Sequence, residues 1–303
     1  MQISFILPTK TPTKHDLNPM RKILKEALLK NITIHINQIN KDISHYFTWN
    51  VGKDLFYKAK EKFPNAKFIN LIWDIPQWRI DGKDDYGNDY NWDHYYRSFM
   101  EGADILLSAS KNTQKVIAQN YNIPSEVFYM FFDNLSLNNK HLLDYLPTIN
   151  KSNSFKIVGI SRLVPSKKFD ILINAILLLE KKYNYKIELS LIGAGPEKKN
   201  LKDISKKNKI KVNFYQNISR SYLVYLLKRS NLLVAPSILE GDCGWAPCEA
   251  IFCNVPTIVS DINVTNEFLK DGTIYFKKND HEDLANKIKI FLDKKVNIKD
   301  LLD

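Results

Sequence analysis

Residues 237–261 read SILEGDCGWAPCEAIFCNVPTIVSD, and this segment is the most informative in the chain. A strand is predicted to end near Ser237, and the glycine-rich loop after it offers backbone N–H groups to an anion or a sugar hydroxyl. Pro247 is predicted at the first position of a helix, which puts Glu249 in the first turn. Asn254 is predicted to follow that helix in the left-handed conformation. The segment therefore indicates a strand, a ligand-binding loop and a helix.

The alternation of strand and helix continues on both sides of this segment. Short apolar runs predict strands at residues 155–160, 187–192, 212–215, 232–235 and 257–260. Apolar residues at helical spacing predict helices at residues 169–181, 197–206, 222–229, 247–252 and 281–292. Such alternation is typical of a parallel sheet covered on both faces, so the second half is predicted to be an α/β domain.

The first half of the chain shows a similar alternation. Strands are predicted at residues 3–7, 32–36, 67–72, 105–107 and 127–132. Helices are predicted at residues 17–30, 53–63, 94–101 and 111–121, with a polar loop at residues 81–93. Residues 146–154, LPTINKSNS, have the composition of a linker. The 303 residues are therefore predicted to form two Rossmann-like domains, N-terminal at 1–148 and C-terminal at 149–303.

The segment VGISRLVPSKKFD, residues 158–170, carries two cations at the end of a predicted strand. Arg162 and Lys167 flank the start of a helix, whose N–H groups and dipole add to their positive field. Two cations beside a helix N-terminus are typical of a site that binds a diphosphate. The alternative is that both residues are ordinary surface cations in a loop.

The segment LIGAGPEKKNL, residues 191–201, contains two glycines at the end of another predicted strand. Gly193 and Gly195 allow the backbone to turn sharply, and Pro196 is predicted to start the next helix. This pattern resembles part of a dinucleotide-binding fingerprint. A tight strand-to-helix turn without a ligand is the alternative.

The composition is that of a globular protein, with 44% hydrophobic and 25% charged residues. The formal charge of +11 at pH 7 leaves two explanations open, an anionic partner or a codon bias toward lysine. A nucleic-acid-binding protein would cluster basic residues with exposed aromatic residues. Here the basic residues are spread along helices, so no nucleic-acid partner is expected.

Three cysteines, Cys243, Cys248 and Cys253, fall in one short stretch. Their odd number and their spacing fit neither a disulfide framework nor a zinc site, so we expect a reducing, cytoplasmic location and no metal. The N-terminal residues are not expected to act as a signal peptide, and no run of about eighteen apolar residues is present. Peripheral contact with a membrane stays open.

Seven segments of the second half, taken in order, resemble the C-terminal domain of the family 4 glycosyltransferases of the GT-B fold. The resemblance spans residues 157–292 and rests on GISRLVPSKKFDILINA, LIGAGPEKKNL, VNFYQNI, LLVAPSILEGDCGW, PCEAIFCNVPTIVSD, NEFLKDG and NDHEDLANKI. It implies two Rossmann-like βαβ domains that face each other across a cleft. It also implies transfer of a sugar from a nucleotide-diphosphate sugar, such as a UDP- or GDP-hexose, to an acceptor hydroxyl. The anomeric configuration would be retained, without a metal or other cofactor.

The resemblance implies a role for each matching residue. Arg162 and Lys167 would bind the diphosphate and stabilise it as the leaving group, and Glu240 would contact the transferred sugar. Glu249 would hold the ribose hydroxyls, although a first-turn acid favoured only by the helix dipole is the alternative. The other donor-binding positions are the base-contacting residues Gln216, Asn217 and Ile218, the turn at Gly193, and the backbone at Gly241, Gly244 and Trp245.

The loop between the two glutamates departs from the family pattern. Eight residues separate Glu240 from Glu249, whereas the family usually places seven there. The extra residue falls near Asp242 or Cys243. Either it bulges without effect or it reshapes the sugar pocket.

The first half resembles the family more weakly. In LIWDIPQW, residues 71–78, Trp73 stands where many members have a histidine, and Asp74 is the candidate for positioning the acceptor hydroxyl. A turn or helix cap is the alternative for Asp74. The family's glycine-rich loop after the first strand is replaced by LPTKTPTKHDLNP. Residues 94–97, HYYR, are either acceptor contacts or the start of a helix.

The expected partners are a nucleotide sugar and an acceptor, which is a glycan, a lipid-linked sugar or a protein. The departures in the first half leave a second function open. That alternative is a catalytically inactive GT-B-like subunit that binds a sugar nucleotide or serves as a scaffold.

Overall fold

The computed structural model describes residues 1–6, 29–49, 53–73, 92–129, 154–241, 244–269 and 273–293. The chain divides into two compact units, Met1–Asp133 and Asn134–Asp303. The predicted linker at residues 146–154 lies outside the described residues except for Ser154, so the domain boundary at residue 148 stays a prediction. In the described part of the chain, no helix combines the length and the apolar character needed to cross a membrane.

The first unit contains a parallel six-stranded sheet. Its strands are β1 (Gln2–Ile6), β2 (Thr33–Ile36), β3 (His45–Trp49), β4 (Lys67–Ile72), β5 (Ile105–Ser108) and β6 (Glu126–Val127). Their order in the sheet is β2-β1-β3-β4-β5-β6. The described helices are α1 (Lys53–Lys62), α2 (Trp92–Glu101) and α3 (Lys111–Tyr121).

The second unit is also built around a parallel six-stranded sheet. Its strands are β7 (Phe155–Ile160), β8 (Ile187–Ile192), β9 (Val212–Tyr215), β10 (Leu232–Ala235), β11 (Thr257–Ser260) and β12 (Thr273–Phe276). The described helices are α4 (Phe169–Tyr183), α5 (Lys198–Lys207), α6 (Arg220–Lys228), α7 (Trp245–Phe252), α8 (Asn263–Phe268) and α9 (His281–Leu292). The strand order is β12-β11-β10-β7-β8-β9, so the chain winds outward from β7 and then returns to its other side at β10.

The core of the second unit confirms the periodicity predicted for its longest helix. The predicted core face of α4 is buried at Ile171, Leu172, Ala175, Ile176 and Leu179. Buried residues of α9 belong to the same hydrophobic cluster, and α9 packs against α4. Because apolar residues three and four apart lie on one helix face, both helices cover the sheet through a continuous apolar surface.

The core of the first unit is rich in aromatic rings. Tyr46 stacks on Phe68 with 5.2 Å between ring centroids, and Phe56 packs edge-on against Phe68. A buried polar pair links the neighbouring strands β3 and β4, where the Thr48 hydroxyl donates to Asn70 Oδ1 over 2.5 Å. The Asn70 amide donates in turn to the carbonyl of Phe99 over 2.6 Å. The side chains of Thr48 and Asn70 thus both have partners, and their hydrogen bonds tie β3, β4 and α2 together.

Two strands and one α-helix in the described part of the chain were missing from the sequence prediction. Strand β3 pairs with β1 on one side and β4 on the other, and its polar residues His45 and Thr48 interrupt the apolar pattern. Its aromatic residues Tyr46 and Phe47 are buried and were the available signal, because aromatic residues favour strands. Helix α8 and strand β12 are short, with six and four residues, and neither shows a full period of its pattern.

Several predicted bounds in the first unit need correction. The strand predicted at 127–132 is Glu126–Val127, and Phe128 and Tyr129 lie beyond its end. Helix α2 begins at Trp92, so the last two residues of the loop predicted at 81–93 are helical, and residues 81–91 lie outside the described residues. The helix predicted at 17–30 also lies outside them, apart from its last two residues.

Candidate active site

The winding of the second sheet reverses between β7 and β10, which are hydrogen-bonded neighbours. The chain leaves β7 toward β8 and leaves β10 toward β11, so the loops after these two strands separate at the carboxyl edge. Ligands of open α/β sheets bind in the crevice that such a reversal creates. The sequence-predicted residues Arg162 and Lys167 follow β7, and Glu240 follows β10.

Lys167 and Glu240 meet across this crevice. Lys167 Nζ lies 2.5 Å from Glu240 Oε1, and the two side chains are 9% and 19% exposed. Beside the pair, the Ile238 N–H donates to the carbonyl of Ser166 over 2.9 Å and joins the two loops. A buried ammonium requires an anionic partner, because burial removes its hydration. The crevice therefore holds a cation and a carboxylate in fixed positions.

The two predicted phosphate-binding cations after β7, Arg162 and Lys167, differ in how far they are buried. A 3-10 turn, Pro165–Lys167, precedes α4, and Lys168 adopts the left-handed conformation with φ 50° before the helix begins. Lys167 thus lies just ahead of the helix, as predicted, and it is buried. Arg162 is exposed at the surface two residues after the end of β7.

Gly193 and Gly195 follow β8, and their backbone packs closely against the loop that follows β7. A Cβ atom on Gly193 would lie 1.8 Å from the carbonyl oxygen of Ser161. A Cβ atom on Gly195 would lie 2.2 Å from the carbonyl oxygen of Leu163. Only residues without a Cβ fit this crossing, so the glycines have a structural function irrespective of any ligand.

The segment after β9 is held at both ends. Gln216 and Asn217 are exposed, and Asn217 has a left-handed φ of 54°. Lys198 Nζ donates to Gln216 Oε1 over 3.0 Å. Next to Ile218, the Ser219 hydroxyl caps α6 by accepting the Tyr222 N–H over 3.2 Å. The predicted base-contacting residues therefore form a supported, solvent-facing edge at the end of β9.

Two prolines that were predicted to start helices occupy other positions. Pro196 lies in the turn before α5, which begins at Lys198. Pro247 is the third residue of α7, because that helix begins at Trp245 after Gly244, whose φ is 68°. Pro is tolerated there since the first N–H groups of a helix have no intrahelical acceptor. Glu249 is thus the fifth residue of α7 and lies beyond the first turn.

The start of α7 lies beside the carboxylate of Glu240. A Cβ atom on Gly244 would be 4.0 Å from Glu240 Cδ, and Gly241 is buried. Asn254, just after α7, has the predicted left-handed conformation with φ 56°. Asp242 and Cys243, where the extra residue falls, lie outside the described residues.

Glu249 is buried and forms an ion pair with Arg220, which sequence reasoning overlooked. Arg220 is the first residue of α6, and the predicted helix began two residues too late to include it. A usable signal was present, because a cation at a helix N-terminus opposes the helix dipole and needs a specific partner. Glu249 therefore has a specific cationic partner, which a purely dipole-favoured acid would not need.

The guanidinium of Arg220 is incompletely satisfied. Its Nη1 donates to Glu249 Oε1. Its Nε is buried and has no hydrogen-bond partner among the residues that the structure describes. A buried donor without a partner costs about 1–3 kcal/mol. The pair therefore adds less to stability than a fully bonded one.

The structure supports fewer of the acceptor contacts predicted in the first unit than of the donor contacts predicted in the second. Asp74 lies outside the described residues, and Trp73 is half-buried against the apolar cluster on that sheet. Tyr96 is a core residue with 1% exposure, and Arg97 pairs with Glu101 on the same helix. For Tyr96 and Arg97, the alternative of a helix start is therefore the one that the structure supports.

The two units, each with a parallel six-stranded sheet and helices, define the GT-B fold class, and the predicted fold is confirmed. The Anabaena protein Alr3699/HepE, solved in complex with UDP and glucose, matches with a TM-score of 0.74 and 14% identity, over 100% of this chain and 93% of that chain. Sucrose-phosphate synthase from Thermosynechococcus elongatus matches with a TM-score of 0.74 and 14% identity, over 99% of this chain and 91% of that chain. At this identity, the likeness is one of fold.

The chain belongs to the family described as Glycosyl transferases group 1, whose model matches residues 147–301. Among characterised relatives, the O-antigen chain mannosyltransferase RfbU of Salmonella typhimurium is 30% identical over 186 residues. These residues make up 61% of this chain and 50% of RfbU, so the match spans half the length of that relative. The narrower assignment to family 4 stays a prediction.

Proposed function

We propose that the chain transfers a sugar from a nucleotide-diphosphate sugar to an acceptor hydroxyl. Membership of the group 1 family supports this class of reaction, and the relative RfbU is named as a mannosyltransferase. The HepE complex with UDP and glucose supports a donor of this chemical type. The observation that carries the proposal is the Lys167–Glu240 pair at the reversal of the second sheet, because it sets a cation for the diphosphate beside a carboxylate for the sugar.

In this proposal, Lys167 and Arg162 hold the diphosphate. The departing nucleoside diphosphate gains negative charge as its bond to the sugar breaks, so fixed cations stabilise the transition state more than the ground state. Lys167 is buried, and water therefore screens its charge only weakly. Arg162 is exposed and contributes from the solvent side.

The proposed contacts to the sugar and nucleoside follow from the chemistry of each group. Glu240 accepts hydrogen bonds from sugar hydroxyls, and Glu249 accepts them from the ribose, since a carboxylate is an acceptor at both oxygens. The exposed edge at Gln216, Asn217 and Ile218 contacts the base. The glycine turn at Gly193 and the backbone of Gly241, Gly244 and Trp245 enclose the sugar and the phosphates.

We further propose that transfer retains the anomeric configuration. The bond between the anomeric carbon and the diphosphate oxygen breaks, and a bond to the acceptor oxygen forms on the same face. The acceptor proton passes to the departing phosphate oxygen, so neither a protein nucleophile nor a cofactor takes part. Lys167 and Arg162 supply the positive charge, so the proposal needs no metal ion. Asp74 is the proposed positioning residue for the acceptor hydroxyl.

The acceptor is proposed to be a glycan, free or linked to a lipid, with a protein as the alternative. The name of RfbU refers to an O-antigen chain, which supports a carbohydrate acceptor. The net charge of +11 suits an anionic acceptor or the anionic face of a membrane. We therefore propose a cytoplasmic enzyme with peripheral membrane contact.

Replacing Glu240 by glutamine is expected to lower the rate of sugar transfer, and of donor hydrolysis, by about 10- to 100-fold. The expected factor corresponds to one hydrogen bond to a charged group, about 1.5–3 kcal/mol. Release of the nucleoside diphosphate from UDP-, GDP- and ADP-hexoses would be followed by coupled assay and mass spectrometry. The matched control is Glu197→Gln in the same unit, where the Glu197 carboxylate accepts a hydrogen bond from the exposed side-chain amide of Asn200.

Two outcomes would contradict the proposal. Equal rates for the Glu240→Gln variant and the unaltered chain would remove Glu240 from the reaction. Tight donor binding without release of nucleoside diphosphate, in the presence of glycan acceptors, would favour the inactive sugar-nucleotide-binding subunit instead. The half-buried Trp73, at the position where the family resemblance implies a histidine in many members, is the observation that supports that second candidate.

A further inference from the structure

The ion pair between Arg220 and Glu249 links two parts of the candidate site. Arg220 is the first residue of α6 and comes two residues after the segment 216–218. Glu249 lies in the middle of α7, and the two side chains are 25% and 10% exposed. One guanidinium therefore connects the proposed base-contacting edge to the proposed ribose carboxylate.

Stability alone gives a poor account of this pair. The charge of Arg220 opposes the dipole of its own helix. Its Nε is buried without a partner in the described part of the chain, which weakens the pair as a stabilising contact. Buried ion pairs are also weak stabilisers in comparison with packed apolar residues. The pair instead fixes where the carboxylate of Glu249 lies and how it is oriented.

A carboxylate oriented in this way suits a vicinal diol. Its two oxygens can accept hydrogen bonds from two adjacent hydroxyl groups. Arg220 Nη1 binds Oε1, and this contact restricts rotation of the Glu249 side chain. Hydrogen bonds to a ligand strengthen when the acceptor is already held in place, because less side-chain entropy is lost on binding.

We infer that Arg220 is a positioning residue that orients Glu249 toward the ribose, so that it determines the preference for ribonucleoside over 2′-deoxyribonucleoside diphosphates. The inference rests on the proposed function, since it assumes that the donor nucleotide lies in this site. It adds a specificity-determining residue that acts through Glu249 and does not itself contact the reacting atoms.

Calorimetric titration with UDP, GDP and ADP, each beside its 2′-deoxy form, tests the inference. The quantity compared is the ratio of the two Kd values for the base that binds most tightly. The variants are Arg220→Gln, Arg220→Met, which keeps the aliphatic stem, and Glu249→Gln. The matched control is Arg229→Gln at the other end of α6, where the guanidinium lies over the Tyr225 ring. A ratio of Kd values within one variant does not depend on the fraction of protein that is folded.

The unaltered chain and Arg229→Gln are expected to prefer the ribonucleotide by about 10-fold or more, the value of one hydrogen bond to a charged group. Both Arg220 variants, and Glu249→Gln, are expected to lower that ratio to about 3 or less. A ratio kept by the Arg220 variants and lost only in Glu249→Gln would overturn the inference and leave Arg220 a structural link. If the unaltered chain binds the ribonucleotide and its 2′-deoxy form equally well, the inference about Arg220 is overturned, but the proposed donor site is not. No nucleotide binding at all would overturn the donor site and the inference together.

Discussion

Replacing Lys167 by methionine is expected to lower the kcat of sugar transfer by about 100- to 1,000-fold. Removing one preorganised group that stabilises developing charge has an effect of this size in enzymes. The Lys167 side chain is 9% exposed and its Nζ lies 2.5 Å from Glu240 Oε1, so water screens its charge only weakly. Methionine keeps most of the aliphatic stem, so the change removes mainly the ammonium group.

The same substitution is expected to lower the free energy of unfolding of the second unit by about 1–3 kcal/mol, because it leaves the Glu240 carboxylate without its partner. Steady-state kinetics and urea unfolding would measure the two effects separately. Lys199→Met is the matched control, since Lys199 is exposed on α5 in the same unit. A kcat within about threefold of the unaltered enzyme would contradict the role proposed for Lys167.

Replacing Gly193 by alanine is expected to destabilise the second unit by about 3 kcal/mol or more. The new Cβ would lie 1.8 Å from the carbonyl oxygen of Ser161, and Gly193 has a φ of 153°. A backbone oxygen cannot rotate away as a flexible side chain would, so β7 or β8 must shift at its carboxyl end. Because that end of the sheet carries Arg162 and Lys167, donor binding is expected to fall as well.

Gly244→Ala supplies the comparison for this prediction. Gly244 has a φ of 68°, but the nearest heavy atom to its added Cβ would be Pro247 Cδ at 3.6 Å. The unfavourable backbone conformation, φ 68° with ψ 124°, is then the main cost, at about 1–3 kcal/mol. Urea unfolding followed by circular dichroism would rank the two variants. Equal loss of stability in both would contradict the steric explanation for Gly193.

The secondary structure of the second unit was largely predictable because its signals are local. Strands β7 to β11 are short, largely apolar runs bounded by polar, glycine or proline residues, and all five have the predicted bounds. Helix α4 buries the predicted apolar face. The prediction was wrong where local signals are weak or ambiguous, as for the central strand β3 and the start of α7 at Trp245.

The candidate site was only partly predictable because its geometry depends on the order of the strands. Arg162, Lys167 and Glu240 could be chosen from their positions after predicted strands. That Lys167 and Glu240, 73 residues apart, form one ion pair depends on β7 lying beside β10, which no local pattern specifies. Arg220 was missed because its helix was predicted to begin after it, and its partner lies on another helix.

The most direct test of the account is the binding of nucleoside diphosphates and nucleotide sugars to the second unit's crevice, measured as a shift in unfolding temperature. A ligand present at ten to a hundred times its Kd should add about 1.4 to 2.7 kcal/mol of stability. We predict that one nucleotide series stabilises the unaltered chain in this way and leaves the Arg162→Ala/Lys167→Ala variant at its own ligand-free unfolding temperature. Equal stabilisation of both proteins, or of neither by any nucleotide, would contradict a donor site at Arg162 and Lys167.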